Sequence, residues 1–428
     1  MEKINYEHIS ESLYKKELSN GLTVFLLPKR QMTKSFALFM TNYGSMHNTF
    51  TPINEEEEVT VPDGIAHFLE HKLFEKEDRD IFNDFMAQGA SPNAYTSFSK
   101  TAYLFSTTEN VNENVTTLLD FVQEPYFSDQ SVEKEKGIIA QEIKMYDDEP
   151  GWRSFMGAIK NMYELLPINI DIAGTVQSIQ AITKEDLYTC YETFYHPSNM
   201  ALFVVGNFDV QTLGNLIEKN QAEKTFADVQ ALAISVPNEP TQVVTKENTI
   251  ELPVSIPKVT VGIKESEQQL QGENLLKQEL IQQMVLDYLF SQSGPFYETL
   301  YQEQLIDDSF EYSTTVEEDY NFTLISSNTS DPNNFVQKVN ELLFSTKTME
   351  IDEKIFQMMR NKKIGQMLRE MNSLEQIASQ FLHYHFSGIN YFEIIPFVSS
   401  ITLEDINNYL NEWITEERLT SFIIEKGS

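Results

Sequence analysis

Apolar residues gather in short runs over the first two hundred positions, each run closed by a turn signal. "LSNGLTVFLLPK" (Leu18 to Lys29) joins an Asn-Gly turn to a β-rich run and predicts a hairpin and strand, and "SFALFMTNYGS" predicts a second strand. "NAYTSFSKTAYLFSTT" (Asn93 to Thr108), rich in Thr, Tyr and Phe, predicts a strand or hairpin with helices on either side. "HPSNMALFVVGNFD" (His196 to Asp209) predicts a short buried strand closed by Gly206. The acidic tract "INEEEEVTVPDG" reads as a solvated loop ending at Asp63, an N-cap candidate for a helix that starts near Gly64.

From about Gln221 to Asn248 the apolar period is lost and prolines enter, which predicts a linker over residues 226–248 between an N-terminal domain, 1–225, and a C-terminal domain, 249–428. Beyond it the order strand, helix, strand resumes in "PKVTVGIK", "ENLLKQELIQQMVLDYLF" and "FEYSTTVEEDYNFTLISS". The order repeats that of the first half, so the expected fold class is α+β, with two related domains of sheet packed by helices. A chain of 428 residues exceeds the size at which one core keeps growing, which agrees with two domains.

Composition narrows the function. With 41% hydrophobic residues the chain can build a core, and a formal charge of -34 excludes nucleic acid as the expected partner, because phosphate binding needs clustered Lys and Arg. No run approaches the roughly 18 apolar residues of a membrane span, and "MEKINYEHISESLYKKELSNG" has no apolar export signal. Cys190 is the single cysteine, which fits a reducing cytoplasm and leaves nitrogen and oxygen as ligands for any bound metal.

Two of the seven histidines, His67 and His71, stand four apart in "GIAHFLEHKLF". On a helix they project from one face, one turn apart, with Glu70 beside them. Two imidazoles and a third, oxygen ligand make an open zinc site whose fourth position is left for water, and His-x-x-Glu-His is the order of the inverzincins. Downstream, "VEKEKGIIAQEIKMYDDEP" places Glu135 and Glu142 seven apart on one helical face, with Ile138, Ile139 and Ile143 expected on the packed stripe next to it. A carboxylate pair on an inward face needs a cation or a proton.

The combination of "HFLEH", "GASPNAYTSFSKTAYLF", "EKEKGIIAQE" and "FYHPSNMALFVVGNFD" resembles the pitrilysin/insulinase family of zinc peptidases, in the branch that includes the mitochondrial processing peptidases. The resemblance implies that His67, His71 and Glu142 are zinc ligands, that Glu70 is the general base, and that Glu135 assists them. It also implies that "SPNAYTS" is a strand edge that takes a peptide as an added strand, with Asn93, Ala94 and Tyr95 at the substrate. The expectation that follows is a cytoplasmic zinc endopeptidase acting on short or unfolded peptides.

One feature departs from that pattern. Active relatives carry an Arg and a Tyr seven residues apart in the second half, which bind substrate and steady the oxyanion. In "FYETLYQEQLIDDSFEYS" Tyr301 takes the Arg position and Asp308 falls near the Tyr position, and no arginine occurs between Arg153 and Arg360. Either a related, zinc-less subunit supplies the pair, two half-clamshells enclosing a chamber, or Tyr301 or Tyr312 substitutes and the chain works as a homodimer or alone. The heterodimer is the expected arrangement, and a catalytically silent metal-binding partner or scaffold is the alternative. His383 and His385, two apart, are expected at a surface or interface rather than on a metal.

Overall fold

The computed structural model describes residues 1–228, 231–265 and 269–427. By its internal contacts the chain divides into two units, each assembled from three segments: 1–143, 170–235 and 369–386 in unit 1, and 144–169, 236–368 and 387–428 in unit 2. The units therefore interleave along the chain and do not simply follow one another across the stretch read as a linker, within which residues 229–230 lie outside the described residues.

Unit 1 contains β1 (Glu2–Tyr6), β2 (Glu11–Glu17), β3 (Thr23–Pro28), β4 (Ser35–Thr41), β5 (Thr49–Thr51), β6 (Val59–Thr60), β7 (Ala90–Thr96), β8 (Thr101–Thr107), β9 (Met200–Gly206) and β10 (Ala233–Ile234). Seven of these form a sheet in the order β1-β2-β3-β9-β4-β8-β7, and β10-β5-β6 form a small second one. Every residue of β4 and β9 is buried, which explains their unbroken apolar sequences. The helix Leu374–Phe386 lies on this sheet, Phe381 meeting Phe25 at 4.7 Å and Phe203 at 4.8 Å between ring centroids. His385 packs on Phe25 at 4.9 Å, and burial with the nearby charge of Lys15 pushes it down to about 4. α1 (Ile65–Phe74), α2 (Ile81–Ala87), α3 (Val111–Gln123) and α4 (Asp129–Asp147) complete the part of the fold that matters for the site, and the boundary between the units falls inside α4.

Unit 2 holds α5 (Pro150–Met162) and the strands β11 (Glu247–Leu252), β12 (Lys258–Lys264), β13 (Glu311–Val316), β14 (Asn321–Asn328) and β15 (Leu419–Lys426), in the order β11-β15-β12-β14-β13. This is the order β3-β9-β4-β8-β7 of unit 1 with the same senses: β3 with β9 and β11 with β15 are parallel, and the other neighbours are antiparallel. Two helices separate β4 from β7, and two helices, Gly272–Phe290 and Pro295–Gln302, separate β12 from β13. The duplication expected from the sequence is thus visible in topology: the counterpart of α1 is Gly272–Phe290, which carries no histidine, and β13 is the counterpart of edge strand β7.

α5 lies close on the unit 2 sheet because Gly157 has no side chain; a Cβ there would stand 2.3 Å from the Phe422 ring. Elsewhere in this unit Glu265 is buried, its Oε1 accepting from Trp413 Nε1 at 2.7 Å and, at longer range, from Tyr409 and Thr323. Burial pushes its carboxyl up to about 7, against those hydrogen bonds and the charge of Arg418. A carboxyl raised in the folded state stabilises fully below its unfolded value and loses that contribution as pH rises through the folded one. The cost of ionising Glu265 therefore builds up as pH rises from 4.5 to about 7 and is present in full above that, on the order of 3 kcal/mol. Urea titrations at pH 5 and pH 8 are expected to show Glu265→Gln matching the wild type at the lower pH and exceeding it at the higher; equal pH slopes would refute the assignment.

Candidate metal centre

α1 carries four polar side chains among its core residues: Lys72, fully buried and paired with Glu75 at 2.5 Å, and the three that make the site. Phe68, Leu69 and Leu73 are fully buried, and this anchors the helix so that His67, Glu70 and His71 face the opposite way. Its start differs from the sequence expectation. Asp63 does not cap the helix: its carboxylate accepts from Asn48 Nδ2 at 3.0 Å, and the N-cap is Gly64 in the left-handed region at φ 88°. A Cβ on Gly64 would stand 2.4 Å from the Ala173 carbonyl oxygen, so the turn into α1 requires glycine.

α4 brings Glu135 and Glu142 to the same place. Ile139 and Ile143 are buried and seat the helix, whereas Ile138 is 45% exposed. The expectation of three packed isoleucines is corrected accordingly: Ile138 lies between the two glutamates on the open face, three residues after one and four before the other.

His67, His71 and Glu142 offer ligand atoms that all lie within 4.8 Å of one another. His67 Nε2 is 3.8 Å from Glu142 Oε1 and His71 Nε2 is 3.7 Å from Glu142 Oε2. These separations are too long for hydrogen bonds and near the roughly 3.4 Å between ligands of a tetrahedral ion bonded at about 2.1 Å. His71 Nδ1 meets Glu135 Oε1 at 3.1 Å, which orients the ring and leaves Nε2 toward Glu142. His67 Nδ1 is buried without a hydrogen-bond partner among the described residues. His67 Nε2, the nitrogen facing Glu142, stands beyond hydrogen-bond reach of it at 3.8 Å and is available to an ion, which would leave Nδ1 as it is. The donor set of two nitrogens and one carboxylate fits a zinc ion.

The electrostatics point the same way. Burial, then the charge of His71, pushes His67 down to about 3, so its ring stays neutral and ready to ligate. Burial also opposes the charge on His71, but the hydrogen bond to Glu135 and the carboxylates of Glu70, Glu135 and Glu142 outweigh it and raise the ring above its ordinary value. The three acids favour positive charge at the place where a metal ion would supply it. Burial raises Glu70, opposed by its hydrogen bond from Thr96 and by His71, with Glu142 adding to the rise.

Next to these residues runs β7, an edge strand of the large sheet. Asn93 and Ala94 line a cavity of about 500 Å³ that also reaches Glu70 and His71, with Phe74 and Phe82 on its wall. The side chain of Asn93 accepts from the Ala94 backbone N–H at 2.9 Å. Tyr95 points elsewhere: its hydroxyl is hydrogen-bonded to Ser379 on the helix Leu374–Phe386, and burial pushes it up to about 12. Sequence reasoning passed over Thr96, whose Oγ1 donates to Glu70 Oε2 at 2.8 Å; its only signal was its place at the end of the "SPNAYT" run.

The stretch aligned with the Arg and Tyr positions lies in unit 2. Tyr301 is 62% exposed on the helix Pro295–Gln302 and stacks on Tyr297 at 6.1 Å, and Asp308 is exposed in the turn before β13. Tyr312, in β13, donates to Asp287 Oδ1 at 2.7 Å.

Comparison with known proteins shows the family and the fold. The family "Insulinase (Peptidase family M16)" matches residues 54–176, and "Peptidase M16 inactive domain" matches residues 181–363. An M16-like peptidase from Alicyclobacillus acidocaldarius superposes with a TM-score of 0.94 at 37% identity, covering 97% of this chain and 99% of that one. The periplasmic protease PqqL of Escherichia coli superposes with a TM-score of 0.73 at 16% identity over 100% of this chain and 48% of its own, a likeness of fold. With 48% identity to "Uncharacterized zinc protease YmfH" of Bacillus subtilis over 97% of each sequence, the chain belongs to the insulinase family of peptidases, family M16.

Proposed function

We propose that this chain is a zinc-dependent endopeptidase that hydrolyses short or unfolded peptides. The observation that carries the reading is the convergence of His67, His71 and Glu142, with Glu70 beside them and a free strand edge along the same cavity. Zinc held by His67, His71 and Glu142 would polarise the scissile carbonyl and bring a bound water to a pKa of about 7. Glu70, 8% exposed, takes the proton of the attacking water and returns it to the leaving amine. Glu135 holds the His71 ring through Nδ1. The edge of β7 pairs with the peptide main chain, and the Asn93 carboxamide gives up the Ala94 N–H as the peptide carbonyl arrives.

The site is completed by a second, related subunit that lacks its own zinc motif. Tyr301 and Asp308 are exposed, and neither supplies a fixed cation for an oxyanion. A fold neighbour about twice this chain's length, PqqL, is a single chain only half covered by this one, which supports a second half being needed. The motivation for the contrary reading, a catalytically silent partner, is the same loss of the Arg and Tyr.

The two separate in one experiment. The purified chain is assayed against a mixed pool of quenched-fluorescent peptides, alone and with a co-expressed zinc-less paralogue. Hydrolysis that appears only with the paralogue supports the split site. Hydrolysis by the chain alone places the clamp within it, and none under either condition favours the silent partner.

A further inference from the structure

Glu70 is almost buried, and the one hydrogen bond its carboxylate receives among the described residues comes from Thr96 Oγ1, at 2.8 Å to Oε2. A carboxylate on a three-carbon side chain with a single anchor is oriented by that anchor. Thr96 is itself tightly placed. It is the last residue of β7, paired with Thr101 across the hairpin to β8. The turn that follows is pinned by Ser97 N–H to the Lys100 carbonyl at 2.7 Å and by Lys100 N–H to Ser97 Oγ at 2.9 Å. Its β-branched side chain has few χ1 choices, so the hydroxyl has little freedom to swing away.

We infer that Thr96 is a positioning residue, its hydroxyl fixing the Glu70 carboxylate toward the metal centre; the inference rests on Glu70 being the base of the proposed peptidase. Asn93 and Ala94, which line the cavity, lie three and two residues before Thr96 on the same strand. The strand that receives the peptide and the hydroxyl that holds the base are therefore one rigid piece, so a peptide paired to β7 is registered against Glu70 through a single residue. Contacts of this kind, one step from the reacting groups, typically carry about 10–100-fold in activity. Because Thr96 touches neither the ligands' metal-facing atoms nor the pairing edge at Asn93, its loss lowers kcat and leaves KM and zinc content alone.

The test compares Thr96→Val and Thr96→Ser in the full chain, with the paralogue present where the wild type needs it. Thr96→Val keeps the shape and loses the donor; Thr96→Ser keeps the donor. Expected for Thr96→Val is a kcat lowered by about 10–100-fold at unchanged KM and zinc per chain, with Thr96→Ser near wild type. In crystals of Thr96→Val the Glu70 carboxylate is expected to leave its wild-type position. Wild-type kcat in Thr96→Val, or an unmoved Glu70 in its crystals, overturns the inference. Should the wild type cleave no peptide, the peptidase reading fails by itself, and the crystal comparison still decides whether Thr96 holds Glu70.

Discussion

Replacing Glu70 by Gln is expected to leave zinc bound and to cut peptide hydrolysis by about 10²–10⁴-fold. The substitution is isosteric, so the Thr96 hydroxyl keeps an acceptor and the packing of α1 on Phe68, Leu69 and Leu73 is unchanged. What is lost is the ability to take a proton, since an amide is no base near neutral pH. The ligand atoms of His67, His71 and Glu142 belong to other residues, and Glu70 sits beside them. Zinc content measured with turnover tells the base from a ligand: a variant that loses both was misassigned, and full residual turnover would sink the base role.

The second large effect separates the two glutamates of α4. Glu142 faces both Nε2 atoms, whereas Glu135 reaches only Nδ1 of His71. If zinc binding of about 10–16 kcal/mol is spread over four ligands, one protein ligand accounts for about 3–4 kcal/mol, so Glu142→Gln should weaken zinc by about 10²–10³-fold. Glu135→Gln removes only the orienting contact and should cost about 10–100-fold. Competition with a zinc chelator of known affinity measures both. Equal losses, or a larger loss at Glu135, would mean that the two residues have exchanged roles.

The difference between what the chain reveals by reading and what it reveals only when folded follows the range of the interactions. His67 and His71 are one helical turn apart, and Glu135 and Glu142 are two, so each pair can be placed on a face from spacing alone. That α1 and α4 bring those faces together depends on contacts between residues more than sixty positions apart, such as His71 with Glu135, and spacing says nothing of these; the resemblance to a family supplied that step. Burial was misjudged at Ile138 because an apolar side chain on an open site face looks the same in sequence as one in the core. Asp63 looked like a cap because its neighbours suited one, but Asn48, fifteen residues away, claims the carboxylate. Thr96 was missed for a related reason: a threonine ending a strand is unremarkable until its hydroxyl is seen on Glu70.

The duplication was legible as a repeated order of elements, and the matching sheet orders of the two units give it a physical form. The interleaving of the segments was not, since residues 144–169 and 369–386 join their units by packing, which no composition shift announces.

His67, His71 and Glu142 are proposed to hold one zinc ion. Anomalous diffraction at the zinc edge from crystals of the zinc-loaded wild-type chain tests this most directly. Expected is a single strong peak within bonding distance of His67 Nε2, His71 Nε2 and the Glu142 carboxylate; a zinc-saturated crystal with no peak there, or with its peak elsewhere, would refute the assignment.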